Sequence, residues 1–200
     1  MLRSSAVRAR YFSMNATVPP QSPRQAARLK LIALRQAQAD KAERERALVA
    51  RVGRWLRTMP TKRVGFYWPV RGEPDLRSIV GAWLAEDPQR IAALPVVNGK
   101  LLEFAPWTPT APMREGDYGI AVPATSERVT PQVLLIPCVG IDAQRYRLGY
   151  GGGFYDRTLA ALPVRPVTVG IAFDVARIAS IAAQPHDVRL DLAITESGVL

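Results

Sequence analysis

Ten residues in a row, QVLLIPCVGI from Gln132 to Ile141, carry no charge and only one polar side chain. So short and unbroken an apolar run suits a strand buried on both faces, in the middle of a largely parallel sheet covered by helices. The flanking texture agrees. RVGFYWPV (63–70), RIAALPVV (90–97), LLEFAPW (101–107), VTVGIAF (167–173) and DLAITE (191–196) read as strands. DLRSIVGAWLAED (75–87), N-capped by Asp75, and FYDRTLAAL (154–162) read as helices. Strands alternating with helices predict an α/β fold: three layers, a Rossmann-like, mostly parallel sheet, and helices on both faces. No internal repeat is present. A 48% hydrophobic content over 200 residues supports one core, so a single α/β domain is expected over 22–200.

Before the first strand the chain is helical. Ser22-Pro23 opens a helix over about 23–37, with Ser as N-cap and Pro at the first helical position and Ala27, Leu31 and Leu34 on its apolar face. Arg24, Arg28 and Arg35 form a row set apart from that face; taken alone, such a row reads as a solvated basic surface. Asp40 and Glu43 make a capping-box-like restart, followed by a stripe of Leu48, Val52 and Trp55.

The formal charge is +10, and all but four of the 27 basic residues are Arg. That favours anionic partners, because a guanidinium grips phosphate through two donors. Residues 1–39 hold seven Arg or Lys and no acid. The segment 1–21 reads as a disordered or targeting-like extension, or as the product of an early start with Met14 the true one. A cytoplasmic protein is expected, or an organellar-matrix one if the basic segment is a targeting peptide. No apolar run reaches the length of a membrane span, so no membrane partner is expected. A single cysteine, Cys138, excludes an internal disulfide framework and a thiolate zinc cluster; beside Pro137 it reads as a small buried residue.

The chemistry concentrates in YRLGYGGGFYDR (146–157), between the end of the apolar run and a helix. Ligands of open α/β sheets bind at the carboxyl ends of strands. Bare glycine backbone offers N–H donors, and a helix N-terminus adds partial positive charge, so phosphate is the natural guest; a mobile structural loop is the alternative. Arg147 can clamp phosphate, Asp156 can hold a Mg²⁺ that bridges phosphate oxygens, and Phe154 and Tyr155 offer flat surfaces to a heterocycle. The string is neither a Walker loop nor a GxGxxG fingerprint.

The complete string RLGYGGGFYDR closely resembles the signature of the 5-formyltetrahydrofolate cyclo-ligases, also called methenyltetrahydrofolate synthetases. LEFAPWTP and GDYGIAVP (102–123), PHDVRLDLAITESG (185–198), RQAARLKLIALR (24–35) and YWPVRGEPD (67–75) are similar to other segments of that family, in the same order over about 22–198. The resemblance implies conversion of 5-formyltetrahydrofolate, free or polyglutamylated, to 5,10-methenyltetrahydrofolate, with ATP as co-substrate and Mg²⁺ as cofactor. In the family's mechanism the formyl oxygen attacks the γ-phosphate, N10 closes the ring and phosphate leaves. The nucleophiles belong to substrate, so the protein positions groups and neutralises charge. A monomer without nucleic-acid partners is expected.

Carried over by position, the resemblance places ATP on Arg24, Arg28, Arg147, Gly149, Gly151, Gly152, Gly153 and Tyr155, with Arg147 and Tyr155 as catalytic groups. It places folate on Trp68, Glu73, Tyr150 and Phe154, and Mg²⁺ on Asp156 and Asp187; His186 receives no catalytic role. Three departures stand out. Ile141 and Arg145 replace the Phe and Gly that usually flank Asp142, and Arg24 replaces Lys. Ala176, with Arg177 beside it, stands where Gln is usual. Arg145 takes positive φ less cheaply than Gly, so that turn must differ or be strained, and its charge adds a third local candidate for phosphate. The altered turn leaves a second reading open: a relative that binds ATP and acts on another substrate.

Overall fold

The computed structural model describes residues 22–200; the expectations for 1–21 lie outside them. Helices α1 (Pro23–Gln36) and α2 (Lys41–Thr58) come first, then β1 (Arg63–Gly65), α3 (Arg77–Ala85), β2 (Ile91–Asn98) and β3 (Leu101–Trp107). The hairpin β4 (Met113–Glu115) and β5 (Ala121–Pro123) precedes β6 (Val133–Pro137), β7 (Gly140–Asp142) and β8 (Arg147–Leu148). Then come α4 (Phe154–Ala161), β9 (Val167–Ile171), β10 (Arg177–Ile178) and β11 (Leu192–Ile194).

The main sheet has the order β11-β9-β6-β1-β2-β3, parallel throughout except for the β2–β3 hairpin. The alternation of β6 explains its unbroken apolar sequence. Val133 and Leu135 join Leu48, Val52 and Leu56 of α2 and Val80 and Trp83 of α3. Leu134 and Ile136 point the other way, into a cluster with Leu159 of α4. Period-two alternation between two apolar layers requires every residue to be apolar. The expected three-layer α/β architecture is the one observed.

Several boundaries differ from the sequence reading, for local reasons. The strand expected over 63–70 ends at Gly65, apart from one further bond from Phe66 N to the Ala93 carbonyl; Pro69 has no N–H to continue a ladder. The apolar run 132–141 is two strands in two sheets. Pro137 closes β6, Cys138 N still donates to the Ile171 carbonyl, and Val139 N has already turned to Leu148. β7 then pairs with β8 and β10 in a separate three-stranded sheet. Helix α3 starts at Arg77, yet the Asp75 carboxylate still accepts from Arg77 N at 3.0 Å. Asp40 makes no cap: its carboxylate accepts from Arg44 Nε at 2.8 Å instead.

Helix α1 begins as expected, with Ser22 Oγ accepting from Gln25 N, but its buried face is rotated. Leu34 is 41% exposed, while Leu31 and Arg35 are 5% and 2% exposed. Arg24, Arg28, Leu31 and Arg35 follow spacings of four, three and four, so they share one helical stripe. The arginine row is therefore part of the inward face, not a solvated surface.

Arg145 does adopt positive φ, at 66°. The turn is held around Asp142, whose carboxylate accepts from Gln144 N, Tyr146 N and Ile181 N. Arg145 itself donates from Nε to the Leu190 carbonyl and accepts from Leu190 N through its own. Cys138 is buried, and burial pushes its thiol up to about 12. It is expected to resist iodoacetamide at about pH 8 in the folded chain and to react on denaturation; rapid native labelling, read by mass spectrometry, would contradict this.

No helix among the described residues is long and apolar enough to cross a membrane.

Candidate active site

The strand ends, the glycine loop and the first turn of α1 enclose a cleft of about 710 Å³. All fourteen residues singled out above line it: Arg24, Arg28, Trp68, Glu73, Arg147, Gly149, Tyr150, Gly151, Gly152, Gly153, Phe154, Tyr155, Asp156 and Asp187. Segments separated by most of the chain thus converge on one space.

The loop between β8 and α4 forms the floor at one end. Gly151 and Gly153 have φ of +97° and +64°, a region that side chains with a Cβ avoid. A Cβ at Gly149 would meet no atom within 4 Å, so its backbone lies bare toward the cleft. Arg28 reaches in from α1 and donates from Nε to the Gly149 carbonyl at 2.7 Å. Its guanidinium carbon lies 3.4 Å from where a Gly151 Cβ would stand.

Two arginine–carboxylate pairs border the loop. Arg147 Nη2 lies 2.8 Å from Asp156 Oδ1, which also accepts from Val188 N, and Arg147 Nη1 donates to the Val188 carbonyl. Arg24 binds Asp187 through both terminal nitrogens, at 2.9 and 3.2 Å. Burial by itself would raise the Asp187 carboxyl, but the Arg24 hydrogen bonds and the Gln184 N–H outweigh it, so it titrates below its ordinary value. Arg24 Nε is buried with no hydrogen-bond partner among the described residues, an orphan donor of the kind an anionic oxygen would satisfy.

The other end is built for a flat, polar-edged molecule. Glu73 is 4% exposed and accepts from Tyr150 Oη at 2.7 Å and Val70 N at 2.9 Å. Burial raises its carboxyl above the ordinary range, although the Tyr150 and Arg35 contacts pull against it. Trp68 is half-buried, with the Arg77 guanidinium 4.4 Å from its ring centroid. Phe154 meets Tyr118 edge-on, with centroids 5.9 Å apart.

Tyr118, Asp117 and Ile120, which also line the cleft, had been passed over, as had Arg71. Their signal was an aromatic between two glycines in Gly116-Asp117-Tyr118-Gly119, where Tyr118 takes a φ of 59°. His186 lines the cleft, with its side chain 71% exposed and Nε2 3.9 Å from Asp187. Neither Ile141 nor Arg145 is among the lining residues; Ile141 is fully buried in the core, and the Arg145 side chain is directed to the Leu190 carbonyl rather than to the glycine loop.

Among the described residues, no three His, Cys, Asp or Glu side chains gather as a metal cage. The carboxylates of Asp156 and Asp187 both line the cleft and are hard oxygen donors of the type Mg²⁺ takes; each is paired here with an arginine, Asp156 with Arg147 and Asp187 with Arg24.

Sequence and structure comparisons agree on one family. The family model described as "5-formyltetrahydrofolate cyclo-ligase family" matches residues 20–196. The 5-formyltetrahydrofolate cyclo-ligase of Haemophilus influenzae is 28% identical over 170 residues, covering 82% of this chain and 88% of that protein. The solution structure of Aquifex aeolicus 5,10-methenyltetrahydrofolate synthetase superimposes with a TM-score of 0.74 at 28% identity, over 89% of this chain and 92% of the other. A 5,10-methenyltetrahydrofolate synthetase from Mycoplasma pneumoniae gives a TM-score of 0.71 at 25% identity, over 88% and 99%. With the family match running through the arginine stripe, the glycine loop and the His-Asp segment alike, this chain belongs to the 5-formyltetrahydrofolate cyclo-ligase family.

Proposed function

We propose that this chain converts 5-formyltetrahydrofolate to 5,10-methenyltetrahydrofolate, consuming ATP and releasing ADP and phosphate. The observation that carries the reading is that one cleft holds both the arginine-flanked glycine loop and the Glu73–Tyr150–Trp68 wall. A phosphate donor and a pterin placed there would be neighbours.

The formyl oxygen of an N-formyl group is a weak nucleophile and its carbon a weak electrophile, so the reaction needs activation. Attack of that oxygen on the γ-phosphorus breaks the bond to the ADP oxygen and leaves an iminium phosphate. N10 then adds to the activated carbon, loses its proton, and the C–O bond breaks to release phosphate. The protein's share is orientation and charge. Bare N–H groups of the loop, Arg28 and Arg147 would bind phosphate oxygens; Arg24, with its orphan Nε, would join them. Tyr155, packed under the Arg147 guanidinium at 5.8 Å, would hold that group in place. Trp68, Tyr150 and Phe154 would pack on the folate, and Glu73 would accept from its amino and ring N–H groups. Asp156 and Asp187 would hold Mg²⁺, which when bound offsets phosphate charge.

The test is growth of methenyl absorbance with purified chain, 5-formyltetrahydrofolate, ATP and Mg²⁺, with each omitted in turn. Signal that needs all three supports the reading; ATP binding without any product would overturn the folate assignment. Because Arg145 faces away from the cleft, Arg145→Gly is expected to change the KM of either substrate by less than about twofold, and stability by less than about 1 kcal/mol. A tenfold rise in folate KM would revive the reading in which the altered turn selects another substrate.

A further inference from the structure

Arg35 is buried at the inner end of the α1 stripe and is not among the described residues that line the cleft. Two of its contacts nevertheless reach the folate-facing wall. Nη2 donates to Tyr150 Oη at 2.7 Å, and Nε donates to the Arg71 carbonyl at 3.2 Å. The second contact holds the turn Val70–Glu73, closed by Glu73 N to the Val70 carbonyl. Arg71 and Gly72 both have positive φ there, at 50° and 77°. One guanidinium therefore ties together the loop that carries Tyr150 and the turn that carries Glu73.

The hydrogen bonds also have a forced direction. A guanidinium only donates, so Tyr150 Oη must accept from Arg35. The phenol has one proton left to give, and Glu73 Oε1 lies 2.7 Å away to take it. Glu73 Oε2 already accepts from Val70 N. Both oxygens of Glu73 are thus addressed as acceptors by fixed donors, and the chain runs Arg35 to Tyr150 to Glu73 without an alternative. Without Arg35, the phenol oxygen is free to accept from a protonated Glu73, and the chain can reverse.

We propose that Arg35 is a positioning residue that fixes the direction of this hydrogen-bond chain, so that Glu73 meets the folate as an ionised acceptor. The proposal rests on the folate reading above. Glu73 sits in a site where burial favours the protonated, donor form, the wrong partner for the amino and N–H edge of a pterin. The other groups around it do not titrate near neutrality. Burial raises the phenols of Tyr67, Tyr150 and Tyr155 and the thiol of Cys138, which stay neutral; the guanidiniums of Arg35 and Arg71 complete the groups around it. Glu73 is then the group whose protonation would set an acid limit on folate binding.

The measurement is calorimetric binding of 5-formyltetrahydrofolate to the full chain, without ATP, from about pH 5 to about pH 8. Wild type, Arg35→Met, Arg35→Lys and Tyr150→Phe are compared, with product formation followed in parallel. In Arg35→Met the acid limit should move up by about one pH unit, so that binding is about tenfold weaker at pH values below both limits, with ATP affinity within about twofold. Arg35→Lys should recover part of the shift, because a positive donor is restored. Ionisation of the folate itself is common to all four proteins and cancels in the comparison. A cooperatively folded Arg35→Met with the wild-type acid limit overturns the proposal. If that variant does not fold, Tyr150→Phe carries the test, since it cuts the chain at its middle; an unmoved limit there overturns the proposal equally. Wild type that binds the folate but does not cyclise it sinks the reaction proposed above and leaves the Arg35 comparison readable. Wild type that does not bind it overturns both.

Discussion

Asp156→Asn is expected to cut turnover by about three orders of magnitude while leaving the chain folded. Asp156 Oδ1 accepts from Val188 N and lies 2.8 Å from Arg147 Nη2, and an amide oxygen can keep that bond and that contact. What disappears is the negative charge. Arg147, whose side chain is 4% exposed, then faces a dipole instead of a carboxylate, and a Mg²⁺ held there, as proposed above, would lose an anionic ligand. The stability cost should stay at about 1–3 kcal/mol, because hydrogen bonds are weakened rather than orphaned. The check is the rate of methenyl absorbance growth at saturating substrates beside a thermal melt. Turnover within tenfold of wild type would remove Asp156 from the charge-handling role.

The second large effect separates ligand approach from folding. Gly149→Val should weaken ATP binding about 100-fold, or about 2.7 kcal/mol, with an almost unchanged melting temperature. The reason is steric: at this cleft-lining position an added Cβ meets no protein atom within 4 Å, so a side chain there has room to extend into the space that phosphate would occupy. Gly151→Val is the instructive contrast. There φ is +97° and Arg28 stands in the way, so both stability and binding should fall. Undiminished ATP affinity in Gly149→Val would mean that the loop does not cradle phosphate.

These two positions also show why parts of the molecule were readable in the sequence and others were not. The glycine loop and its first-turn aspartate are contiguous, so their spacing carries their chemistry. Helix α1 starts where Ser22-Pro23 says it should, because capping is local. The burial of Arg35 in place of Leu34, beside the expected Leu31, is not local. It follows from packing α1 against Val139, Leu148 and Ile181, and no window of α1 contains those residues. Arg35 was hidden for the same reason: its meaning lies in Tyr150 and Arg71, far along the chain. The split of the apolar run at Pro137 turns on Val139 finding Leu148 rather than a strand of the main sheet, a choice between partners that hydrophobicity does not distinguish. Tyr118 carries one local signal, an aromatic between two glycines, but its meaning lies in the contact with Phe154, far along the chain.

The Arg24–Asp187 clamp joins positions 163 residues apart, and Asp156 takes its backbone donor from Val188. During synthesis, a ribosome-bound chain that already displays the basic helix, five strands of the central sheet and the glycine loop still lacks the segment that anchors the helix and the loop. On the reading proposed above, nucleotide capture would wait until Asp187 and Val188 have been made. Nonsense fragments that stop short of Asp187 should be blind to ATP, so that a cell accumulating them would not tie up its nucleotide pool on chains unable to turn over.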